Sequence, residues 1–205
     1  MSDGLAEARE VVRATAAAMA AAGLATGSSG NVSVRWGEGL LITASGVPYV
    51  RLEADQVIEA DAEGRRVSGR GEPSSEWRMH VAIYAARPDV EAIVHTHSPM
   101  ATAAAIALPY LPVPHDEGRI LFGDRIPASK HHLPGTWDLA NAVVSALAEG
   151  PVALIAKHGA VAVGVALEEA LERAVKIEET ARLFYLSRQF GDWARREGTD
   201  DARAL

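Results

Sequence analysis

The stretch "VEAIVHTHSPMATA", residues 90–103, decides how the rest of the sequence is interpreted. Its first part, residues 90–95, predicts a buried strand, yet His95 and His97 stand where that strand ends. A buried ring nitrogen without a partner costs about 1–3 kcal/mol. Residues two apart in a strand point to the same side. The pair therefore predicts a shared hydrogen-bond partner or a shared ligand.

The composition limits the classes of function. The chain has 205 residues, 48% of them hydrophobic and 23% charged, which fits one globular domain over residues 1–205. A formal net charge of −7 argues against a nucleic-acid partner, because such proteins usually carry a basic surface. Cysteine is absent, so a metal site must use His, Asp or Glu. No run approaches the roughly 20 apolar residues of a membrane span, and we expect a cytoplasmic protein with no membrane contact.

The helix signals fall in five places. An alanine-rich first helix is expected to end at Gly23, and further helices are expected at residues 75–87, 99–107, 137–148 and 167–189. From residue 192 onward the chain is polar, and a mobile tail is expected there.

The strand signals lie between those helices. Strands are expected at "VSVRW", "LLITASG", residues 90–95, 152–156 and 160–164, and "VPYVRLEADQVIEAD" adds a turn with a possible further strand. The segment "RRVSGRGEPSS" is expected to be loop, and the proline-rich residues 108–135 mostly extended chain and loop. Because several strands follow one another directly, the pattern favours a mixed sheet with helices on its faces over a doubly wound fold.

A metal site at the histidine pair needs further ligands, since a catalytic zinc takes three protein ligands and keeps one open position. His158 lies in "VALIAKHGAVAVG" at a glycine-containing turn between two strands, and it is the predicted third ligand. Glu76 follows "PSS" in the first turn of a helix, where the helix dipole favours a carboxylate, and it is the predicted fourth. The alternative is a set of ordinary histidines and a helix-terminus charge.

Three segments offer small polar residues and outward-facing amides. They are "GSSGN" at residues 27–31, "ASG" at 44–46 and "PSS" at 73–75. Glycine lets a ligand approach the backbone closely, and a helix start presents free N–H groups. Together the segments predict a phosphate cradle that needs no basic side chain. Each segment alone is also explained as an ordinary turn or helix N-cap.

In this order and spacing, "GSSGNVSVR", "LITASGVPY", "PSSEWRMHVAIYAARPDVEAIVHTHSPMATA" and "KHGAVAVG" resemble the class II aldolase/adducin family over about residues 6–185. The resemblance implies a three-layer α/β/α sandwich with a central mixed, mostly antiparallel sheet. It implies a homotetramer with active sites between subunits. It also implies that Zn²⁺, with Mn²⁺ or Co²⁺ as other candidates, is bound by Glu76, His95, His97 and His158. The phosphate-binding residues it implies are Ser28, Asn31, Ser45, Gly46, Ser74 and Ser75.

The reaction implied by the resemblance is the reversible cleavage of a small ketose 1-phosphate to dihydroxyacetone phosphate and an aldehyde. Zinc would act as a Lewis acid, and Glu76 would move the proton at the carbanion carbon. The same site is compatible with a sugar-phosphate epimerase, a sugar-acid-phosphate decarboxylase or a methylthioribulose-phosphate dehydratase. A non-catalytic, adducin-like scaffold is the third possibility.

The sequence departs from the family's aldolases in one segment. Where they carry a tyrosine after a histidine, "PVPHDEGRI" has Asp116 after His115. An epimerase of the family has an aspartate in this neighbourhood, so Glu117 first and Asp116 second are expected to move the proton at the aldehyde end. Both carboxylates are also explained as surface charges. Four further residues are candidates for aldehyde contact or for simple solvation, namely Arg119, Lys130, His131 and His132.

Overall fold

The structure is a computed structural model that describes residues 2–148 and 150–196. Its α-helices are α1 (Ser2–Ala21), α2 (Trp77–Ala86), α3 (Pro99–Ala107), α4 (Asp116–Phe122), α5 (Trp137–Leu147) and α6 (Leu167–Arg196). Two 3₁₀ turns, Tyr49–Arg51 and Ala54–Gln56, connect strands. Gly23 follows α1 with φ +74°, the left-handed conformation predicted for its C-terminal cap. Among the described residues, no helix combines the length and the apolar character needed to cross a bilayer.

The strands are β1 (Asn31–Trp36), β2 (Gly39–Thr43), β3 (Val57–Ala60), β4 (Arg66–Ser68), β5 (Ala92–Thr96), β6 (Tyr110–Pro112), β7 (Arg125–Pro127), β8 (Val152–Ile155) and β9 (Gly159–Gly164). Seven of them form one sheet in the order β4-β3-β2-β1-β5-β9-β8, and β6 pairs with β7 separately. Each pairing within the large sheet is antiparallel. A parallel bridge joins Ala128 to Leu154.

Helices cover both faces of the sheet, and β5 shows why. Ala92 and Val94 join a core cluster with residues of α1, α3 and α6, whereas Ile93 joins a second cluster with α2 and α5. Successive strand residues point to opposite faces, so the consecutive apolar residues Ala92, Ile93 and Val94 are buried alternately on the two faces of the sheet. Each fully buried aliphatic side chain contributes about 1.5–3 kcal/mol. The predicted three-layer α/β/α sandwich with a mostly antiparallel sheet is confirmed.

The antiparallel order also brings distant parts of the chain to one edge. The start of β1, the end of β2, the end of β5 and the start of β9 all lie there, because Asn31 pairs with His95 and Thr96 pairs with Ala160. The loops that carry the polar segments and the histidines therefore meet at this edge.

Two segments differ from the sequence prediction. The loop expected at residues 65–75 contains β4, a three-residue edge strand that pairs with β3 across an irregularity near Glu59. The proline-rich segment, expected to be mostly extended chain and loop, contains α4 as well as β6 and β7. These four elements are too short to show a hydrophobic period in the sequence. Tertiary contacts therefore determine them.

The last helix is longer than predicted. It was expected to end near residue 189, but α6 continues to Arg196, into the segment assigned to a mobile tail. Residues 197–205, the rest of that predicted tail, lie outside the described residues.

Candidate active site

Three histidines converge at the edge of the sheet because of the strand register. His95 is the second-last residue of β5, and His97 follows one residue after the strand ends. His158 lies in the turn between β8 and β9, and β9 is the neighbour of β5. Lys157 in that turn has φ +61°, a left-handed conformation that sharpens the turn just before the histidine. The register thus places the three rings together.

The ring nitrogens of the three histidines meet at one point. His97 Nε2 lies 3.0 Å from His95 Nε2 and 3.0 Å from His158 Nε2. The ring centroids are 4.7–5.0 Å apart in edge-on arrangements. His95 Nδ1 lies 2.9 Å from the Ala160 carbonyl oxygen, which can only accept, so Nδ1 carries the proton and Nε2 faces the cluster.

Glu76 completes the cluster from the start of α2. The helix begins at Trp77 rather than at the predicted residue 75, so Glu76 is its N-cap residue and not a member of its first turn; the side chain is buried. Its Oε2 lies 3.0 Å from His95 Nε2 and accepts a hydrogen bond from Asn31 Nδ2 at 3.1 Å. Its Oε1 lies 3.4 Å from His158 Nε2 and has no hydrogen-bond partner. One carboxylate oxygen is therefore anchored, and the other is buried without a partner.

The charges of the cluster shift the pKa of each member. Burial opposes ionisation of Glu76, but the His95 charge and hydrogen bond, with His158 and Asn31, outweigh it and hold the carboxyl pKa well below its usual range. For His95, burial acts against protonation, but Glu76 and the Ala160 carbonyl raise the pKa overall. Burial, then the charges of His95 and His158, lowers the pKa of His97 to about 4. Burial and the His95 charge also lower the pKa of His158. The cluster thus favours an ionised Glu76 carboxylate beside a protonated His95, with His97 and His158 neutral.

This donor set fits a divalent cation. One ligand atom from each of the four residues lies within 4.8 Å of the others. Four ligands around a metal at about 2.0–2.2 Å are separated by roughly 3.4 Å. Four contacts within the cluster, at 3.0–3.4 Å, are close to that separation. His97 Nε2 has two nitrogen neighbours, but a ring nitrogen carries either one proton or one lone pair. The two contacts are therefore not both hydrogen bonds. A cation shared by the lone pairs accounts for the arrangement, and its binding would displace the proton of His95.

A cleft of about 250 Å³ opens beside the cluster. Its walls include the end of the loop before β1, the residues after β2 and the residues before α2. Among the described residues that line it, there is no lysine or arginine; they are Ser28, Ser29, Gly30, Asn31, Ala44, Ser45, Gly46, Ser74, Ser75, Glu76, His97, Pro134 and His158. Hydroxyl and amide groups therefore supply the polar wall.

All six residues predicted for phosphate binding line this cleft, but they differ in exposure. Ser28, Ser45, Gly46 and Ser75 are exposed at its mouth. The other two, Asn31 and Ser74, are buried. Asn31 Nδ2 donates to Ser74 Oγ at 3.0 Å as well as to Glu76. These two residues thus support the carboxylate from beneath, while the exposed four face solvent.

The two carboxylates predicted for the aldehyde end do not line this cleft. Asp116 and Glu117 begin α4, and Glu117 pairs with Lys176 of α6 at 2.9 Å. A hydrogen bond from Lys176 and its charge lower the pKa of Glu117. If these carboxylates serve a metal centre, it must be that of another subunit, and their catalytic role stays a prediction.

The candidates for aldehyde contact divide in the same way. Arg119 pairs with Asp124 at 2.5 Å, within its own loop. His131 lies close enough to His158 for its charge to lower the pKa of that residue. Lys130 is exposed and His132 partly buried, and neither residue lines the cleft.

Sequence reasoning missed the residues behind the site. His80 is fully buried in α2, and its ring bridges Ser33 of β1 and Asn31. Tyr49 is also buried, and it donates its hydroxyl proton to the Gly30 carbonyl at 2.5 Å, fastening the loop before β1. The available signal for His80 was its position four residues after Glu76, which places both on one side of a helix start.

Known proteins that resemble this chain include aldolases. The family described as "Class II Aldolase and Adducin N-terminal domain" matches residues 10–185. L-fuculose phosphate aldolase of Escherichia coli K12 is 38% identical over 177 residues, which cover 86% of this chain and 81% of that protein. A 5-methylthioribulose-1-phosphate/5-deoxyribulose-1-phosphate aldolase of Rhodospirillum rubrum is 38% identical over 170 residues, covering 83% and 76%.

A solved structure agrees with these relatives. An L-fuculose 1-phosphate aldolase superposes with a TM-score of 0.85 at 28% identity, over 90% of this chain and 88% of the other. The sequence and the fold point to the same conclusion, and the four converging side chains that could hold a metal are consistent with it. The chain belongs to the class II aldolase and adducin family.

Proposed function

We propose that the protein is a divalent-metal aldolase that reversibly cleaves a small ketose 1-phosphate to dihydroxyacetone phosphate and an aldehyde. The observation that carries the proposal is the buried, ionised Glu76 with one unpartnered oxygen beside three convergent imidazoles. The names of the relatives suggest the first substrates to test, namely L-fuculose 1-phosphate, 5-deoxyribulose 1-phosphate and 5-methylthioribulose 1-phosphate.

The cation would be held by His95, His97 and His158, with Glu76 as a further ligand. When bound, Zn²⁺ or a related divalent ion supplies Lewis-acid polarisation of the substrate carbonyl, which stabilises negative charge as the carbon–carbon bond breaks. The Ala160 carbonyl holds the His95 ring in the tautomer that presents Nε2 to the ion.

Glu76 is the residue that moves the proton. It is ionised and buried, and it lies at the cleft, so it can remove a proton from the carbon next to the carbonyl and return it. Asn31 fixes Oε2, and Oε1 is free to receive the proton. General acid–base catalysis of this kind contributes about 10²–10⁴-fold to the rate.

The phosphate would lie at the mouth of the cleft. Ser28, Ser45 and Ser75 supply hydroxyl groups there, and Gly46, with φ +73°, allows close approach to the backbone. Binding through amides and hydroxyls suits a chain with a formal net charge of −7. Asn31 and Ser74 would link the phosphate wall to the carboxylate.

We also propose the tetramer with sites between subunits. On one chain, α4 exposes Ile120 and Leu121, and Leu121 lines a cleft with Val175 of α6; these exposed apolar side chains suit contact with another copy. Such contact would let Glu117 or Asp116 reach the cleft of a neighbour and move the proton at the aldehyde end. Ile120→Asp should yield smaller particles in light scattering, with lower activity, and an unchanged particle size would contradict this interface.

The experiment that tests the function is a panel of ketose phosphates with coupled detection of dihydroxyacetone phosphate. Zinc-loaded protein should release this product from at least one of the three substrates, chelation should stop the release, and added zinc should restore it. Glu76→Gln is the matched variant, because it keeps the shape of the side chain and removes the base. Its turnover should fall by about 10²–10⁴-fold with an unchanged fold.

The other outcomes identify the competing functions. Release of carbon dioxide indicates a decarboxylase, loss of water a dehydratase, and an inverted centre on an intact carbon skeleton an epimerase. A chain that binds no divalent ion would be a scaffold. Near-normal turnover of Glu76→Gln would contradict its role as the base.

A companion pair of variants tests the aldehyde end. Glu117→Ala should lower turnover more than Asp116→Ala, and the opposite order would overturn that ranking.

A further inference from the structure

A chain of buried hydrogen bonds runs behind the site, from α2 through β1 to Glu76. Tyr84 Oη lies 2.7 Å from Ser33 Oγ, and Ser33 Oγ lies 2.6 Å from His80 Nδ1. His80 Nε2 contacts Asn31 Oδ1, and Asn31 Nδ2 donates to Glu76 Oε2 at 3.1 Å. His80 is fully buried and is not among the residues that line the cleft.

The direction of donation in this chain is fixed by its chemistry. Asn31 Oδ1 can only accept, so His80 Nε2 must carry a proton. Burial, with the nearby charge of His95, lowers the pKa of His80 to about 3, so the ring is neutral and its Nδ1 accepts. Ser33 therefore donates to Nδ1 and accepts from the hydroxyl of Tyr84. Every proton points along the chain toward the carboxylate.

The critical member is the Asn31 amide, because an amide can rotate and exchange its oxygen and nitrogen. Rotation would place Oδ1 against the carboxylate oxygen of Glu76, which is repulsive, and would remove the donor to Ser74 Oγ. The ring of His80 opposes this rotation, since its Nε2–H would then face the Nδ2 donor.

We propose that His80 is a positioning residue: its Nε2–H holds the Asn31 amide with Nδ2 toward Glu76, which anchors Oε2 and leaves Oε1 for a metal ion and the substrate proton. The inference rests on the proposed function only in that Glu76 binds a cation. The unpartnered Oε1 of Glu76 is the atom that this arrangement leaves available.

Three variants measured by zinc affinity test the proposal, with competition against a chelator as the readout. His80→Leu removes both ring nitrogens and should weaken zinc binding by about 10–100-fold. His80→Gln offers an amide donor in place of Nε2–H and should restore most of that affinity. Ile83→Ala, a core truncation one turn along α2, should lower stability but leave zinc affinity unchanged.

A measurement on the unsubstituted protein decides the case even if a variant fails to fold. The ¹⁵N resonances of the His80 ring should show a neutral ring with the proton on Nε2. A proton on Nδ1, or zinc affinity of His80→Leu equal to that of the unsubstituted protein, would overturn the inference. If the unsubstituted protein binds no divalent ion, the proposed function fails, and the tautomer still decides the role of His80.

Discussion

The Nδ1–H of His95 donates to the carbonyl oxygen of Ala160 at 2.9 Å, across the pairing of β5 with β9. This bond joins His95, a candidate metal ligand, to the backbone of β9. The turn just before β9 carries a second candidate ligand, His158. On the opposite side of β5, the carbonyl of His95 faces Gly30, just before β1. The position of His95 therefore depends on close packing of backbone on both sides.

The close approach at Gly30 gives a prediction with a matched control. A Cβ at Gly30 would lie 2.4 Å from the His95 carbonyl oxygen, whereas a Cβ at Gly27 would meet nothing within 4 Å. Both glycines have positive φ, so alanine at either position bears a left-handed cost of about 1–2 kcal/mol. Gly30→Ala should lose about 1–3 kcal/mol more in urea denaturation than Gly27→Ala. Equal losses would show that β5 moves aside freely.

The N-terminus of α3, which follows His97, is capped by a side chain of another helix, α6. The Glu178 carboxylate on α6 accepts from the amides of Met100 and Ala101 at 2.9 and 2.8 Å, at the start of α3. Glu178→Ala should lower the free energy of unfolding by about 1–2 kcal/mol, and Glu178→Gln should lower it less. Glu179→Ala, which removes an exposed pair with Lys176, should lose under about 1 kcal/mol. Thermal unfolding compares the three, and equal losses for Glu178→Ala and Glu179→Ala would contradict the capping role.

Lys157 offers a stabilising substitution beside the site. Its φ of +61° costs a side-chain-bearing residue about 1–2 kcal/mol, and glycine avoids most of that cost. Lys157→Gly should therefore gain up to about 1 kcal/mol in thermal unfolding, whereas Lys157→Ala should stay near the original stability. A loss of stability in the glycine variant would mean that the lysine side chain contributes contacts that outweigh its backbone strain.

The stability of the metal-free protein should fall in mild acid. The pKa values of His80 and His97, about 3 and about 4, lie below the roughly 6.5 of an unfolded histidine. As the pH falls below about 6.5, the unfolded chain binds protons that the folded chain does not, and this loss continues down to the folded pKa values. The slope is up to about 1.4 kcal/mol per pH unit for each histidine. The pKa of His95 is raised, so its contribution to stability is fully present below about pH 6.5 and is lost only as the pH rises above that value.

Urea denaturation between about pH 7 and pH 5 measures this slope. In His80→Leu, the free energy of unfolding should change less steeply with pH, because one of the two histidines that bind protons only in the unfolded chain is gone. Constant stability over the same interval would mean that both rings ionise freely in the folded protein.

The sequence predicts long elements well and short ones poorly. Pro99 starts α3 and Pro109 follows its end, so the helix agrees with its predicted bounds of 99–107. In contrast, α4 contains Gly118, where a Cβ would lie 2.6 Å from the His115 ring. His115 is the N-cap residue of this helix, three positions earlier, and seven residues are too few to show the hydrophobic period that would have predicted α4.

The candidate site divides in the same way. The His-x-His pair and the turn at His158 give a local signal, and the structure brings both together with Glu76. The spacing of His80 from Glu76 is visible in the sequence, but its supporting role is not, because that role depends on Ser33 and Asn31 of β1 contacting the His80 ring. The catalytic roles of Asp116 and Glu117 remain predictions, because neither residue lines the cleft beside the cluster.

The central claim is that four side chains, His95, His97, His158 and Glu76, bind one divalent ion. Anomalous X-ray scattering at the zinc edge, from crystals grown with zinc, tests it most directly. The account predicts one strong peak about 2.0–2.1 Å from the Nε2 atoms of all three histidines. No peak between those rings, or one bound by fewer than three of the four side chains, would contradict it.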